Sequence, residues 1–200
     1  MGQVISQGDL VPIVRERQVG GERAVFTNGC FDLLHLGHVT YLRRARSLGD
    51  FLIVGVNSDD STRRLKGPRR PLVPENERAE VLAALVNVDY VTIFTDNTAG
   101  RLIDELRPSI YAKGSDYAGD GYAGDVFLAP EALRRLIAGD TREYPELEHL
   151  GASLPESAVV AGYGGYLALL AYLPGHSTSE LIHEIVSRYA HSKASQAGVE

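Results

Sequence analysis

The chain has 200 residues, enough for one compact domain with a sizeable core, and its 44% hydrophobic and 23% charged content is ordinary for a soluble globular protein. A net charge of -6 argues against a general nucleic-acid binder, and the single cysteine excludes an internal disulfide and fits a reducing compartment. No apolar run approaches the ~20 residues of a membrane span, and the amino terminus lacks the basic and apolar regions of a secretory signal, so a cytoplasmic protein acting on small molecules, with no nucleic-acid or membrane partner, is expected.

Taken in chain order, residues 1–22 read as a peripheral segment, with Leu10, Val11, Ile13 and Val14 offering a short helix or strap. A first strand is predicted at 25–27 and a helix over 37–48, where Leu36, Val39, Leu42, Ala45 and Leu48 form one apolar stripe. A second strand over 51–56 is apolar enough to be buried on both faces. A polar stretch then leads into a basic loop over 63–70, and Pro74 opens a helix over 75–86. Strands at 90–94 and 109–112 flank a helix over 98–106. This alternation predicts an α/β fold with a parallel sheet of about five strands and right-handed crossovers. The rhythm breaks between 116 and 163, where only 129–138 reads as a helix. A fifth strand over 166–173 and a helix from 177 to about 189 close the fold, and a disordered tail is expected over 190–200.

The stretch Val25 to His38 organises the rest. Asn28-Gly29 tolerates a sharp turn, and His35 and His38 follow with Gly37 between them, where a strand hands over to a helix. Unpaired N–H groups and the positive end of the helix dipole make such a place a phosphate seat. It also lies at the carboxyl end of a strand, where open α/β sheets bind ligands. Arg63, Arg64, Lys66, Arg69 and Arg70 crowd the basic run on the same sheet edge, where cations attract polyphosphate. Ser177 and Glu180 have capping-box spacing and open a second helix N-terminus whose hydroxyls can also meet phosphate.

Other chemistries find less support. The run Gly119-Asp-Gly-Tyr-Ala-Gly124 matches the dinucleotide pattern but does not directly follow a strand, so a glycine loop is expected. No G-x-x-x-x-G-K-[ST] loop occurs. His35 and His38 lack a third zinc ligand at a suitable spacing, His176 and His183 being isolated from them in sequence, and the metal ligands are left unknown. Cys30 reads as a small residue packed at the turn.

Asn28-Gly-Cys-Phe-Asp32 followed by His35-Leu-Gly-His38 resembles the signature of the HxGH nucleotidyltransferase superfamily, and the NGCFD form is most similar to the adenylyltransferases of ADP-heptose synthesis. Lys66-Gly67, Arg70-Pro71, Lys113-Gly-Ser-Asp-Tyr117, Gly164-Gly165 and Ser177-Thr-Ser179 resemble that family's later blocks, in order. The resemblance implies a single Rossmann-like nucleotidyltransferase domain. It also implies transfer of AMP from ATP, with Mg²⁺, to a sugar 1-phosphate, most similar to D-glycero-D-manno-heptose 1-phosphate. The alternatives are a cytidylyltransferase for a polyol or alcohol phosphate and a non-catalytic nucleotide-binding module; an HxGH-type aminoacyl-tRNA synthetase is disfavoured by length and acidity. Carried over residue by residue, His35, His38 and Lys66 are the catalytic set. Thr27, Asn28, Gly29, Phe31, Gly37, Arg78, Lys113, Gly114, Asp116, Ser177, Thr178 and Ser179 border the nucleotide. Asp32 and Asp59, with Lys66, face the acceptor. A homodimer or higher homo-oligomer is implied too. The chain departs from the family in an insertion over about 124–161, before the last strand.

Overall fold

The computed structural model describes residues 1–118 and 124–189. The strands are β1 (Gln3–Val4), β2 (Ala24–Gly29), β3 (Phe51–Asn57), β4 (Tyr90–Phe94), β5 (Ile110–Gly114), β6 (Val126–Leu128) and β7 (Tyr166–Leu170). The helices are α1 (Gln7–Val19), α2 (Leu36–Arg46), α3 (Asp59–Lys66), α4 (Glu75–Ala83), α5 (Gly100–Leu106), α6 (Pro130–Ile137), α7 (Leu150–Ser153), α8 (Glu156–Tyr163) and α9 (Thr178–Tyr189). They build a Rossmann-like α/β fold whose sheet has the strand order β1-β4-β3-β2-β5-β7-β6. Every pairing is parallel except β6 with β7.

Strand order reverses at β2. The chain runs from β2 outward to β3 and β4, then returns to place β5 on the other side of β2. Crossovers on opposite faces diverge there and leave a crevice beyond the carboxyl ends of the strands. Asn28-Gly29 and Lys113-Gly114 end β2 and β5 at this crevice. The central strand β3 is buried along its whole length, as a strand covered on both faces must be. Gly55 in it admits the neighbouring ring: a Cβ there would stand 2.9 Å from Phe26 Cζ.

Two apolar layers sandwich the sheet. On one face Leu42 and Ala45 of α2 and Ala79, Leu82 and Ala83 of α4 pack against Val25, Leu52, Val54 and Val91. The opposite face carries α1, α5, α6 and α8 over Phe26, Ile53, Tyr111 and Leu167. Leu10 and Val14 of α1 are wholly buried in that layer, so the amino-terminal segment is part of the core and not peripheral. Burying two such side chains contributes about 1.5–3 kcal/mol each.

Each of the five expected strands is present, with two short ones added at the sheet edges. β1 and β6 have two and three residues, too few to show a period. The last strand stops at Leu170 rather than 173. The first half of the basic run is helical, not a loop: Ser58 caps α3 by accepting a hydrogen bond from Ser61 N at 3.2 Å, and Asp59 and Asp60 occupy its first turn. The segment 124–161 holds β6, α6, α7 and most of α8, and sends Val126, Leu128, Leu133, Leu136 and Val160 into the core. The buried carboxylate of Glu156 locks it in place by accepting a hydrogen bond from Ala99 N, at the start of α5, at 3.0 Å. The glycine-rich pattern at 119–124 falls largely, and the 190–200 tail wholly, outside the described residues.

Candidate functional site

The site begins with the turn that leaves β2. Phe31 has φ 47°, a left-handed conformation that an aromatic residue adopts at a cost of about 1–3 kcal/mol. Gly29 makes room for its ring, since a Cβ at 29 would meet Phe31 Cε2 at 3.2 Å. Two buried charged side chains hold the turn in this shape. Asp32 Oδ1 accepts hydrogen bonds from Leu72 N at 2.7 Å and Val73 N at 2.9 Å, and Asp32 Oδ2 pairs with Arg70 at 2.5 Å. Arg78, 2% exposed, donates to the carbonyl oxygens of Cys30, Val73 (2.9 Å) and Asn57 (2.9 Å) and to Asp59 Oδ1 (2.7 Å). This guanidinium thus ties the turn to the end of β3, the start of α3 and the segment before α4.

The turn delivers His35 to the N-cap of α2 without a side-chain capping bond, so the helix N-terminus stays open for an anion. The rings of His35 and His38 lie 4.0 Å apart, and Phe31 buttresses His38 at 5.5 Å. Burial, then the neighbouring His35, pushes the His38 imidazole down to about 4. Burial and His176 lower His35 as well, against a raising effect of Glu180. Nδ1 of both rings is buried without a hydrogen-bond partner. A proton there would bury an unmet donor, so we assign the hydrogen to Nε2 in both neutral rings. The pair can therefore present two N–H donors at neutral pH without carrying charge.

The closing block lies against this pair. Gly37 touches the turn before α9: a Cβ at 37 would meet His176 O and His35 Nδ1, each at 2.9 Å. The expected capping box is formed, with Ser177 N donating to Glu180 Oε2 at 2.8 Å and Glu180 N to Ser177 Oγ at 3.1 Å. Ser177 and Ser179 are exposed and Thr178 half-buried. Across the crevice, Lys113 Nζ donates to Asn28 O at 3.2 Å and sits 4.8 Å over the Tyr117 ring, while Tyr111 donates to Asn28 Oδ1 at 2.8 Å. Gly114 is buried at the end of β5, and the Asp116 side chain lies outside the described residues.

Several expected residues face the protein instead. Thr27 is wholly buried with its hydroxyl 2.7 Å from that of Tyr41, so only its backbone can border a ligand. The carboxylates of Asp32 and Asp59 are engaged as above and hold chain segments together. Arg78 is a brace: its geometry leaves it no path to a phosphate. In the basic run, Arg63 pairs with Asp60, Arg64 with Asn97 and Thr95 O, and Arg70 with Asp32. Lys66 and Arg69 make no side-chain bond among the described residues. His176 was isolated in sequence from the histidine pair; folding brings it there, and only its place just before a capping box signalled this. A groove of about 500 Å³ between α5 and α8 shares no residue with this site. Its Arg101 and Arg107 are paired with Asp96 and Asp104, so its charges do not converge on a ligand.

The family model described as cytidylyltransferase-like matches residues 26–150, more than half of the chain. The bifunctional protein HldE of Geobacter sulfurreducens is 43% identical over 180 residues, and that of Syntrophotalea carbinolica 45% over 181. Each alignment covers 90% of this chain but 30% of the relative, so the chain spans less than a third of their length. A solved lipopolysaccharide core biosynthesis protein from Thermoplasma volcanium is 36% identical, with a TM-score of 0.44 over 48% of this chain and 77% of that one. The match runs through β2, the histidine pair, Lys66 and β5, and with it the chain belongs to the cytidylyltransferase-like family and is an enzyme of the nucleotidyltransferase class.

Proposed function

We propose that the chain transfers AMP from ATP to a sugar 1-phosphate, D-glycero-D-manno-heptose 1-phosphate, giving ADP-heptose and pyrophosphate. The observation that carries this reading is the pair of uncharged imidazoles, His35 and His38, at an uncapped helix N-terminus in the crevice where strand order reverses. The choice of ATP and of a heptose rests on the resemblance of the Asn28–Asp32 and Lys113–Tyr117 blocks.

In this mechanism an oxygen of the acceptor phosphate attacks the α-phosphorus of ATP in line. The bond from that phosphorus to the bridging oxygen breaks, and pyrophosphate leaves. The nucleophile is already an anion, so neither a general base nor a covalent enzyme intermediate is needed, and catalysis comes from positioning and from donors aimed at the transition state. His35 and His38 donate Nε2–H to the triphosphate. Lys66 bridges the α-phosphate and the acceptor phosphate. Asn28, Gly29 and Phe31 wall the nucleotide, with Gly37 giving it room. Lys113, Gly114 and Asp116 border the ribose and base, and Ser177, Thr178 and Ser179 close over the phosphates. Mg²⁺ enters as part of the nucleotide substrate. Among the described residues no group of three or more His, Cys, Asp or Glu side chains gathers as a metal cage. Among the described residues no helix is long and apolar enough to cross a membrane. We place the reaction in the cytoplasm and its catalyst in a homodimer or higher homo-oligomer, to be checked by light scattering.

The test is pyrophosphate release with ATP, CTP, GTP and UTP against sugar 1-phosphates that include both heptose anomers, with His35→Ala as the blank. Turnover with ATP and a heptose 1-phosphate, reduced about 10²–10³-fold or more in the blank, is expected. Turnover confined to CTP and a polyol phosphate would keep the mechanism and overturn the adenylyl and heptose assignment.

A further inference from the structure

One imidazole beside the site takes no part in that mechanism. His176 lies in the turn between β7 and α9, and its carbonyl oxygen stands against Gly37 of α2. Its Nδ1 is 2.9 Å from the carbonyl oxygen of Pro174. A carbonyl only accepts, so Nδ1 carries the hydrogen and donates it. The consequence is a polarity opposite to that of His35 and His38. Their buried Nδ1 atoms leave Nε2–H as the outward group, whereas neutral His176 presents a bare lone pair at Nε2. A lone pair repels a phosphate oxygen, and only the imidazolium form of this ring can donate to one.

We infer that His176 is a third imidazole of the triphosphate seat and engages the nucleotide as the imidazolium, so that nucleotide binding takes up a proton and weakens as pH rises. This rests on the nucleotidyl-transfer reading above. The charged and titratable groups around it, among the described residues, are consistent with such a role. His35 and His38 flank Gly37 on α2, against which the His176 carbonyl stands, and on α9 Glu180 accepts from Ser177 N. Arg44 of α2 and Asp125 pair with each other beside Ala171, at the start of the same connection. His176 also lowers His35, which places the two rings within electrostatic reach. A cation at 176 opposes protonation of His35 and helps keep it an uncharged donor, while the nucleotide supplies the negative charge that stabilises the imidazolium.

Calorimetric titration of ATP, saturated with Mg²⁺ and without acceptor, into the full chain in buffers of different ionisation enthalpy reads both affinity and proton count. Between pH 6 and 8 the wild type is expected to approach uptake of one proton and to lose up to about tenfold in affinity per pH unit, the limit for a single linked proton. His176→Gln keeps a neutral donor and leaves the Ser177–Glu180 box intact; it should lose that proton uptake and that slope. His176→Arg, permanently charged, should bind about as tightly as the wild type at pH 6 and hold that affinity to pH 8. The nucleotide's own protonation is common to all three proteins and cancels in the differences; His176→Arg keeps the cation that opposes protonation of His35, so comparison with it separates uptake at His176 from uptake at His35. Equal proton uptake and equal pH slope in wild type and His176→Gln would overturn the inference and leave nucleotide binding standing. Failure of the wild type to bind any of the four nucleoside triphosphates would overturn the underlying reading, and the inference with it.

Discussion

Gly37→Ala sets two effects of opposite sign against each other. Gly37 is the second residue of α2 and is buried. Alanine at a helical position is favoured over glycine by about 0.5–1 kcal/mol, because it loses less backbone entropy on folding. The new Cβ, however, would stand 2.9 Å from His176 O, 2.9 Å from His35 Nδ1 and 3.0 Å from His35 Cε1. The imidazole can rotate away, at the expense of its donor geometry. The carbonyl is backbone and must move with the turn that carries it. Overpacking of this kind costs about 1–3 kcal/mol in a rigid core. Here it can be relieved cheaply, because α9 buries none of its residues. The expected outcome is therefore a nearly unchanged melting temperature, within about 2–4 °C of wild type. Activity should fall far more, because misplacing the seat by a fraction of an ångström to 1 Å costs up to about 10²-fold. Thermal denaturation together with kcat/KM from pyrophosphate release separates the two effects. A Gly37→Ala protein that is more stable and retains wild-type kcat/KM would refute the claim that α2 and the α9 turn share one crowded site.

Arg78→Lys tests the brace behind the turn. Lysine gathers its donors on one atom and cannot span three carbonyls and Asp59 as the planar fork does, so a loss of about 2–4 kcal/mol in urea denaturation is expected; a loss below about 0.5 kcal/mol would show that these bonds hold nothing. His38 makes a pH prediction whose sign follows from its depressed value of about 4 against 6.5 when unfolded. Between these values the unfolded chain binds a proton that the native one refuses, so stability falls as pH drops from about 6.5 toward 4, by about 3 kcal/mol in all. His38→Gln should lose this part of the acid sensitivity, and denaturation curves of both proteins at pH 7 and pH 4.5 give the difference; identical pH dependence would refute the burial argument.

The core of the fold was legible in the sequence because its signals are local. The continuous apolar run of β3, the stripe of α2 and the Ser177–Glu180 spacing each specify an element through neighbours within a few residues. The Asn28-Gly29 turn followed by His35 and His38 likewise pointed to a phosphate seat from adjacent positions alone. β1 and β6 leave no signal in the sequence because strands of two and three residues exist only by pairing with distant partners. The basic run shows the same limit. Composition presents Arg63, Arg64, Lys66, Arg69 and Arg70 as equivalent, and their pairing with Asp60, Asn97 and Asp32 leaves Lys66 and Arg69 unengaged among the described residues. Arg78, Asp32 and Asp59 read as ligand contacts from their motif positions, yet Arg78 and Asp32 are buried as struts and half-buried Asp59 is held by Arg78. By itself the sequence determined the elements with strong periodicity, the class of the sheet and the place of His35 and His38 at the start of α2. Only the tertiary structure decided which charges neutralise one another, which brace the turn, and that the backbone of His176 lies against Gly37, because those outcomes depend on distances between residues far apart in the chain.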